Sequence, residues 1–486
     1  MKGKRLGSAL GVLAMLGACG GGGGGSGGDA TGVAPTPTPS ATASGACSLL
    51  DRQNWAAGQL REWYLFPETL PAALSPSGYS SVGEYVDALT ATARAQRRDR
   101  FFTYVTSIRE ENAFFQQGSS AGFGVRLSYD AAARRLLVSE AFEGAPALQA
   151  GIDRGTEILA IGTSPSDLRP VADLFAAGGS GAVSEALGPS TAGTTRTLRV
   201  TDPAGGAREV TVAKADFSLT PVSPRYGARI IEDGGRRVGY LALRTFIDTA
   251  DAQLRDAFAS FRAAGVTEVV VDLRYNGGGL VRIAELMGDL LGRDRSRSDI
   301  FSITAFRPEK SGQNETRFFN PQPQSIAPTR VAFIGTGASA SASELLINSM
   351  VPYLGVNMAL VGTNTFGKPV GQIALDRQQC DDRLRVVAFA TQNRDRRGDY
   401  YDGLATVVPV TCRAGDDLSA PLGDPREASV RAALDFLGGR SCPSIASATR
   451  EASALGGVEG ARAAGTRALL QPDRPTVPQR EVPGLF

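Results

Sequence analysis

The chain contains no histidine in 486 residues. This absence excludes a Ser-His-Asp triad, a Cys-His dyad, an HExxH zinc site and any proton relay built on histidine. The net charge is only +2, which gives no strong electrostatic attraction to nucleic acid, so we expect no nucleic-acid partner. A hydrolase with a serine nucleophile in this chain therefore needs another base, and lysine is the known substitute.

Long apolar runs and closely spaced cysteines are also missing. Beyond the first residues there is no run of about 18 apolar residues, the length that predicts a transmembrane helix. No CxxC spacing occurs either, so we do not expect a structural metal site of the knuckle type.

Residues 1–19 have the features of a targeting segment. Three positive residues at positions 2, 4 and 5 precede a short apolar stretch, which ends Leu16-Gly17-Ala18-Cys19. This ending is similar to the bacterial lipoprotein signal, in which the cysteine is lipidated. An ordinary secretory signal with an incidental Cys19 is the alternative. We expect lipidation of Cys19, which would anchor the protein in the cell envelope at the periplasmic face of a bacterial membrane, with the outer membrane favoured.

Four cysteines follow Cys19, and an even number in an exported chain indicates two disulfide bonds. Cys380 and Cys412 flank one strand-rich segment, so we predict the pairs Cys380–Cys412 and Cys47–Cys442. The other pairings of the four residues and free buried thiols are the alternatives.

Composition and periodicity divide the rest of the chain into five parts. Residues 20–46 are rich in Gly, Ser, Thr and Pro and predict a flexible linker. Residues 47–117 show helical spacing, and residues 118–213 show short alternating strands. In residues 214–443 apolar strands alternate with amphipathic helices, which predicts a mostly parallel sheet. Residues 444–486 predict a weakly ordered tail. The predicted fold class is a multi-domain α/β protein.

The strand-rich part contains a glycine loop, Gly122-Phe123-Gly124-Val125, that is followed by further strand and glycine motifs. This arrangement resembles a PDZ domain. The resemblance implies that loop N–H groups bind a peptide carboxylate and that the next strand pairs with the peptide. The alternative is a small β-rich domain whose glycines serve only tight turns.

Ser341 lies between an apolar strand and a helical pattern. A nucleophile at a helix N-terminus lies beside unpaired N–H groups, so Ala342 N–H is the natural first donor of an oxyanion hole. The alternative is that the serines at positions 339, 341 and 343 are only helix caps.

Lys368 follows Gly367 and another buried strand. Burial lowers the pKa of a lysine, so Lys368 is a candidate base, although a surface lysine on a turn is the alternative. Residues 272–279 end in three glycines at the carboxyl end of a buried strand, and one of these glycines could supply the second oxyanion donor. A phosphate-binding loop is the alternative, but the spacing of the known phosphate motifs is missing.

These three segments, at 272–278, 339–344 and 365–372, resemble the C-terminal processing (tail-specific) serine protease family, which also carries a preceding PDZ domain. The resemblance covers roughly residues 118–440.

The resemblance implies that Ser341 is the nucleophile, Lys368 the general base and Gln372 the residue that orients the lysine. It also implies an oxyanion hole formed by Ala342 and a glycine of the pair Gly277 and Gly278, polypeptide substrates bound near their C-termini, and no metal or organic cofactor.

Two other function classes stay open from the sequence. One is a non-catalytic scaffold that binds peptides through the PDZ-like region. The other is a Ser-Lys amidase or esterase acting on cell-wall material.

Overall fold

The computed structural model describes three groups of residues, 47–203, 205–445 and 467–486. The predicted signal segment with Cys19, the linker 20–46 and positions 446–466 of the tail lie outside them. In the described parts of the chain, no helix combines the length and apolar character needed to cross a bilayer.

The first part of the described chain is mostly helical. Ser48, Ser81 and Ser107 each cap a helix by accepting a hydrogen bond from a first-turn N–H. The elements are α1 (Leu49–Trp63), α2 (Val82–Leu89), α3 (Ala91–Ala95), β1 (Tyr104–Ser107) and α4 (Ile108–Gln117).

A strand-rich part follows. Its elements are β2 (Ser119–Gly122), β3 (Val125–Asp130), β4 (Arg135–Ala141), α5 (Pro146–Gln149), β5 (Glu157–Gly162), β6 (Arg169–Pro170), α6 (Val171–Leu187), β7 (Thr195–Thr201), β8 (Ala207–Ala213) and β9 (Ala215–Ser218). Helix α6 is interrupted at Gly178 and Gly179. The strands β3, β4, β5, β7 and β8 form one sheet in that order, and β2 pairs with β9.

The third part builds two sheets. Its elements are β10 (Ala228–Asp233), β11 (Arg236–Ala242), α7 (Ala250–Ala263), β12 (Glu268–Asp272), α8 (Val281–Leu291), β13 (Ile300–Phe306), β14 (Glu315–Phe318), β15 (Arg330–Gly335), α9 (Ala342–Leu354), β16 (Met358–Gly362), β17 (Val370–Arg377), β18 (Asp382–Gln392), β19 (Val410–Arg413) and α10 (Ala428–Leu437). The central sheet has the order β10-β11-β12-β15-β16-β19 and is parallel except for the first pair.

The central sheet is covered on both faces, which explains its apolar strands. In β12, Val269 and Val271 pack in the cluster that contains residues of α7, α8 and α9, whereas Val270 packs in the cluster that contains residues of α10. Because both faces of such a strand are buried, its side chains do not alternate between apolar and polar. This confirms the predicted α/β class with a mostly parallel sheet.

The second sheet is antiparallel and joins the N-terminal part to the rest. Strand β18 pairs with β1, β13 and β17. Leu60 and Val86 of the N-terminal helices share one buried cluster with Val370, Leu384 and Val386 of this sheet. The helices therefore have a common core with the antiparallel sheet.

The predicted disulfide pairs Cys380–Cys412 and Cys47–Cys442 are wrong. The structure contains Cys47–Cys380, with Cα atoms 5.6 Å apart, and Cys412–Cys442, with Cα atoms 5.3 Å apart. Cys380 lies in the turn between β17 and β18, whereas Cys412 lies on β19 of the other sheet. Sequence proximity around one strand-rich segment was misleading because that segment contributes to two different sheets.

The prediction of a weakly ordered tail is wrong for residues 467–486. They form β20 (Ala468–Leu469), which pairs with β3, and α11 (Val477–Glu481). Five of their apolar side chains are buried. Composition missed this segment because five buried apolar residues are spread among polar and proline positions: Leu470, Val477, Val482, Leu485 and Phe486.

Candidate active site

Ser341 lies where β15, a parallel strand of the central sheet, is followed by the N-terminus of α9. Its φ of 55° is rare for a residue other than glycine, so the surrounding structure must hold this turn. Ser339 Oγ donates to Leu273 O at 2.6 Å, and Ser343 Oγ donates to Asn276 O at 3.0 Å. The serines on both sides of Ser341 thus fix the turn to the 272–279 loop.

Helix capping, the alternative for these serines, applies to Ser341 itself. Ser341 is the N-cap of α9 and forms a capping box with Glu344, whose carboxylate accepts a hydrogen bond from Ser341 N at 3.2 Å. An N-cap hydroxyl lies at the positive end of the helix, where the donors of an oxyanion hole would also lie. Capping and nucleophilic attack are therefore compatible.

Glu344 is a buried carboxylate that the sequence analysis did not single out. Besides Ser341 N, it accepts hydrogen bonds from Thr365 Oγ1 at 2.6 Å, Gly367 N at 2.6 Å and Lys368 N at 2.7 Å. Burial raises its pKa, and these hydrogen bonds oppose that rise. The Ser-x-x-Glu spacing of a capping box was the available signal. Glu344 ties the turn that carries Ser341 to the loop that carries Lys368.

Lys368 lies in the loop between β16 and β17 and is half-buried. Its Nζ donates to Gln372 Oε1 at 2.9 Å and lies 5.0 Å from the centre of the Phe102 ring. Gln372 Nε2 in turn donates to Phe102 O. Burial lowers the pKa of Lys368, and the charges of Glu481 and Asp99 oppose that shift.

The predicted nucleophile and base are brought to one place but are not bonded to each other. Among the residues that the structure describes, no hydrogen bond joins Ser341 Oγ to Lys368 Nζ. The backbone groups of both residues meet on the Glu344 carboxylate instead. The arrangement holds the two segments together through one carboxylate.

The 272–279 loop is held at the carboxyl end of β12 by buried charges. The Arg274 guanidinium donates to Asp272 Oδ2 at 2.7 Å and to Glu427 Oε1 at 2.8 Å. All three side chains are at least 96% buried. These buried charges fix the loop, because moving one of them away would leave the charge of its partner buried without compensation.

The glycines of this loop face different neighbours. A Cβ on Gly278 would lie 2.8 Å from Ser341 Cβ and 3.2 Å from Ala342 N, so only glycine fits against the serine turn. Gly278 N donates to Asn276 Oδ1 at 2.9 Å, whereas Gly277 N donates to Glu481 O at 3.0 Å. Ala342 and Gly278 therefore lie beside Ser341, whereas the N–H of Gly277 is bonded to the tail of the chain.

The loop predicted to bind peptides contacts the tail of the same chain. Gly124 N and Val125 N donate to Phe486 O at 2.9 and 3.2 Å, and the Phe123 side chain is buried. A Cβ on Gly122 would lie 2.8 Å from the Phe486 carbonyl carbon, so glycine permits this approach. No pattern in the sequence predicts this contact.

No metal centre is apparent at this site or elsewhere in the described ranges. Within residues 47–203, 205–445 and 467–486, no group of three or more His, Cys, Asp or Glu side chains is arranged to hold a metal ion.

Comparisons with known proteins cover the same segments. Residues 237–398, which include Ser341, Lys368 and Gln372, match the model of peptidase family S41. The chain is 26% identical over 335 residues to carboxyl-terminal-processing peptidase 3, chloroplastic, of Arabidopsis thaliana, which covers 68% of this chain and 61% of the relative. It is 25% identical over 280 residues to carboxy-terminal processing protease CtpA of Bacillus subtilis strain 168, covering 57% of this chain and 53% of the relative. The chain therefore spans less than two thirds of the length of these relatives.

A solved structure agrees with the fold. The crystal structure of a Bacteroides fragilis protein assigned to the S41 proteases superimposes with a TM-score of 0.61 at 25% identity, over 79% of this chain and 97% of that one. The serine turn, the lysine loop and the glycine loop all lie inside the matched region. Residues 237–398 thus match peptidase family S41, and the relatives to which the chain is similar are carboxyl-terminal-processing proteases.

Proposed function

We propose that the chain is a serine endopeptidase of the C-terminal processing type, with Ser341 as nucleophile and Lys368 as general base. The observation that carries the proposal is the buried Glu344 carboxylate, which binds the backbone N–H groups of both residues. Gln372 supports it by holding Lys368 Nζ where burial lowers the pKa of the amine. A neutral amine can accept the serine proton, as general base catalysis requires.

The reaction needs no group from outside the chain and the substrate except water. Ser341 Oγ loses its proton to Lys368 Nζ and forms a bond to the peptide carbonyl carbon. The resulting oxyanion collapses, the C–N bond breaks, and the lysine ammonium returns the proton to the leaving amine. Water then attacks the acyl-enzyme, again with Lys368 as base, and releases the acid and the free serine. Lys368 Nζ must first come within hydrogen-bond reach of Ser341 Oγ.

We assign the oxyanion hole to Ala342 N–H and to the glycine pair at 277–278. Ala342 is the first residue of α9, so its N–H belongs to the unpaired set at the helix start. The close fit of Gly278 against the serine turn supports the same assignment. Gly278 N donates to Asn276 Oδ1 and Gly277 N to Glu481 O, so the glycine that serves as second donor must exchange this partner before it stabilises the developing charge.

We also propose that the strand-rich part acts as a PDZ-type peptide-binding domain for polypeptide substrates. The loop at 122–125 offers two adjacent backbone N–H groups, from Gly124 and Val125, to one carbonyl oxygen. The edge of β3 continues directly from this loop and pairs with an extended segment. Strand addition of this kind supplies affinity through main-chain hydrogen bonds.

The test is digestion of a denatured protein with the products identified by mass spectrometry. We expect Ser341→Ala and Lys368→Ala each to lower the rate at least about 10³-fold, because each removes a group that the chemical step requires. Ser298→Ala, at an exposed position, and Lys310→Ala, at a partly exposed position where the lysine pairs with Glu62, change the same residue types outside the proposed site and should leave the rate unchanged. A Ser341→Ala variant that cuts at the wild-type rate would remove this serine from the mechanism.

The same assay separates the two other function classes. Peptide binding without cleavage by the wild type would identify a non-catalytic scaffold. Hydrolysis of small esters or amides without cleavage of polypeptides would identify a Ser-Lys amidase or esterase.

We further propose that Cys19 is lipidated and anchors the protein in the cell envelope. The support is the sequence of residues 1–19 alone. Labelling of cells with a radioactive fatty acid should mark the wild type and not the Cys19→Ala variant. Equal labelling of both would contradict a lipid on this cysteine.

A further inference from the structure

Residues 480–486 are here called the tail segment, and its last three residues run along the edge of β3 that does not pair with β4. Leu127 N donates to Gly484 O at 2.8 Å, and Phe486 N donates to Val125 O at 2.9 Å. Arg126 and Leu485 form an antiparallel bridge between these two bonds. The tail segment thus adds to the sheet in the way that a bound peptide adds a strand to an exposed edge.

The side chains of the tail segment are buried in two places. Phe486 is 2% exposed and packs in the same cluster as Val125 and Leu127 of β3. Val482 and Leu485 are buried in a second cluster, which lies between the strand-rich part and α4. Leu485 and Phe486 are adjacent, so their side chains leave the extended segment on opposite sides and enter different clusters.

The other end of the tail segment crosses the catalytic loop. Gly277 N donates to Glu481 O at 3.0 Å, and a Cβ on Gly277 would lie 2.5 Å from Arg480 O. The buried Arg126 side chain donates from Nη1 to both Tyr275 O, at 3.0 Å, and Pro483 O, at 2.6 Å. One segment of the chain therefore spans the peptide groove and the proposed active site together.

Glu481 also acts on the proposed base. Its charge favours the protonated form of Lys368 and opposes the effect of burial. Burial raises the pKa of Glu481, and the charge of Lys368 opposes that rise. A lysine that keeps its proton cannot accept one from Ser341.

We propose that the tail segment is a resident ligand of the peptide groove, which holds the site in a resting state until a polypeptide with a matching apolar end displaces it. The groove would take extended peptides with a large apolar residue at the position of Phe486 and a second one at the position of Leu485. The inference rests on the proposed function for its effect on cleavage. Its binding part is independent of catalysis.

The first experiment measures binding alone. A fluorescent peptide with the sequence of residues 480–486 is titrated into Ser341→Ala protein, either of full length or lacking residues 482–486, and anisotropy is recorded. We expect the shortened protein to bind on the order of tenfold more tightly or better, because the resident segment reduces the fraction of open grooves. Equal affinity of the two proteins would overturn the inference.

The second experiment measures cleavage of a short unstructured peptide by proteins with an intact Ser341. Phe486→Ala should increase the rate, since it weakens the resident segment without shortening the chain. Phe318→Ala, a substitution of an exposed phenylalanine, is the matched control and should leave the rate unchanged. Thermal unfolding of each variant checks that the strand-rich part is still folded, and Glu481→Gln provides a second variant that keeps the buried apolar contacts.

The outcomes separate the two proposals. Tighter peptide binding by the shortened protein, together with no cleavage by any variant, would support the resident ligand and overturn the proposed peptidase. Unchanged cleavage by both Phe486→Ala and Glu481→Gln would overturn the resting state. Loss of the tail from purified wild type but not from Ser341→Ala, seen as intact mass, would show that the segment is a substrate and would overturn its role as a resident ligand.

Discussion

At the residue scale, chemistry and neighbours in the chain suffice to predict some candidate residues of the site. The lack of histidine left Lys368 as the substitute base, and the helix after Ser341 indicated Ala342 as an oxyanion donor. Glu344 and Glu481 could not be assigned in this way. Their partners come from distant loops, so only the folded chain shows that Glu344 ties the site together and that the charge of Glu481 raises the pKa of the base.

The environment of Lys368 predicts a specific pH dependence. Burial lowers its pKa below the value of about 10.4 for a free lysine, so the neutral base increases as pH rises through the lowered pKa. Among the surrounding charges, Glu481 and Asp99 raise the pKa, while Arg480 and Arg385 lower it. We expect kcat/KM to increase from acidic to alkaline pH with a midpoint below that of a free lysine. A rate that is flat from about pH 6 to 10 would contradict a lysine base.

At the element scale, the parallel strands could be predicted because each is buried on both faces and forms an uninterrupted apolar run. Strands β12 and β15 are examples. The pair β17 and β18 also had a visible strand-like pattern. Its partner sheet was not predictable, since β18 pairs with β1, whose sequence lies more than 270 residues away. Register and partner choice are set by contacts that a local pattern does not contain.

The disulfide pairs follow from this partner choice and can be checked directly. A non-reducing digest should yield one peptide pair that links Cys47 to Cys380 and another that links Cys412 to Cys442. On the chain-entropy account, closing the loop of 30 residues contributes about 3.6 kcal/mol and the longer loop more. Replacing both members of either pair by alanine should therefore lower the midpoint of thermal unfolding. A linked Cys380–Cys412 peptide would contradict the structure, and the reduced digest is the control.

At the scale of the whole molecule, composition and periodicity predict an order of parts but not their mutual packing. Residues 47–117 have the periodicity of helices, and nothing in that periodicity says that Phe102 lies against the base. The same limit applies to the tail, because the sequence alone does not show that its few apolar residues pack against distant parts of the chain. Packing between distant parts depends on surface shapes that composition does not encode.

The N-terminal helices should consequently be required for a working site. A chain that begins at residue 118 loses Phe102, whose carbonyl accepts the hydrogen bond from Gln372, and the disulfide partner of Cys380. It also uncovers apolar side chains of β17 and β18, each worth about 1.5–3 kcal/mol when buried, in a protein whose total stability is of the order of 5–15 kcal/mol.

We expect this shortened chain to unfold at a lower temperature and to lose at least about tenfold in cleavage rate, because the lysine is no longer held. A chain that begins at residue 47 keeps every one of these contacts and is the matched control. Both are compared by thermal unfolding and by digestion of the same denatured protein. If the chain from residue 118 matched the control in both measurements, the helices would be a separable module, and the shared core would not position the base.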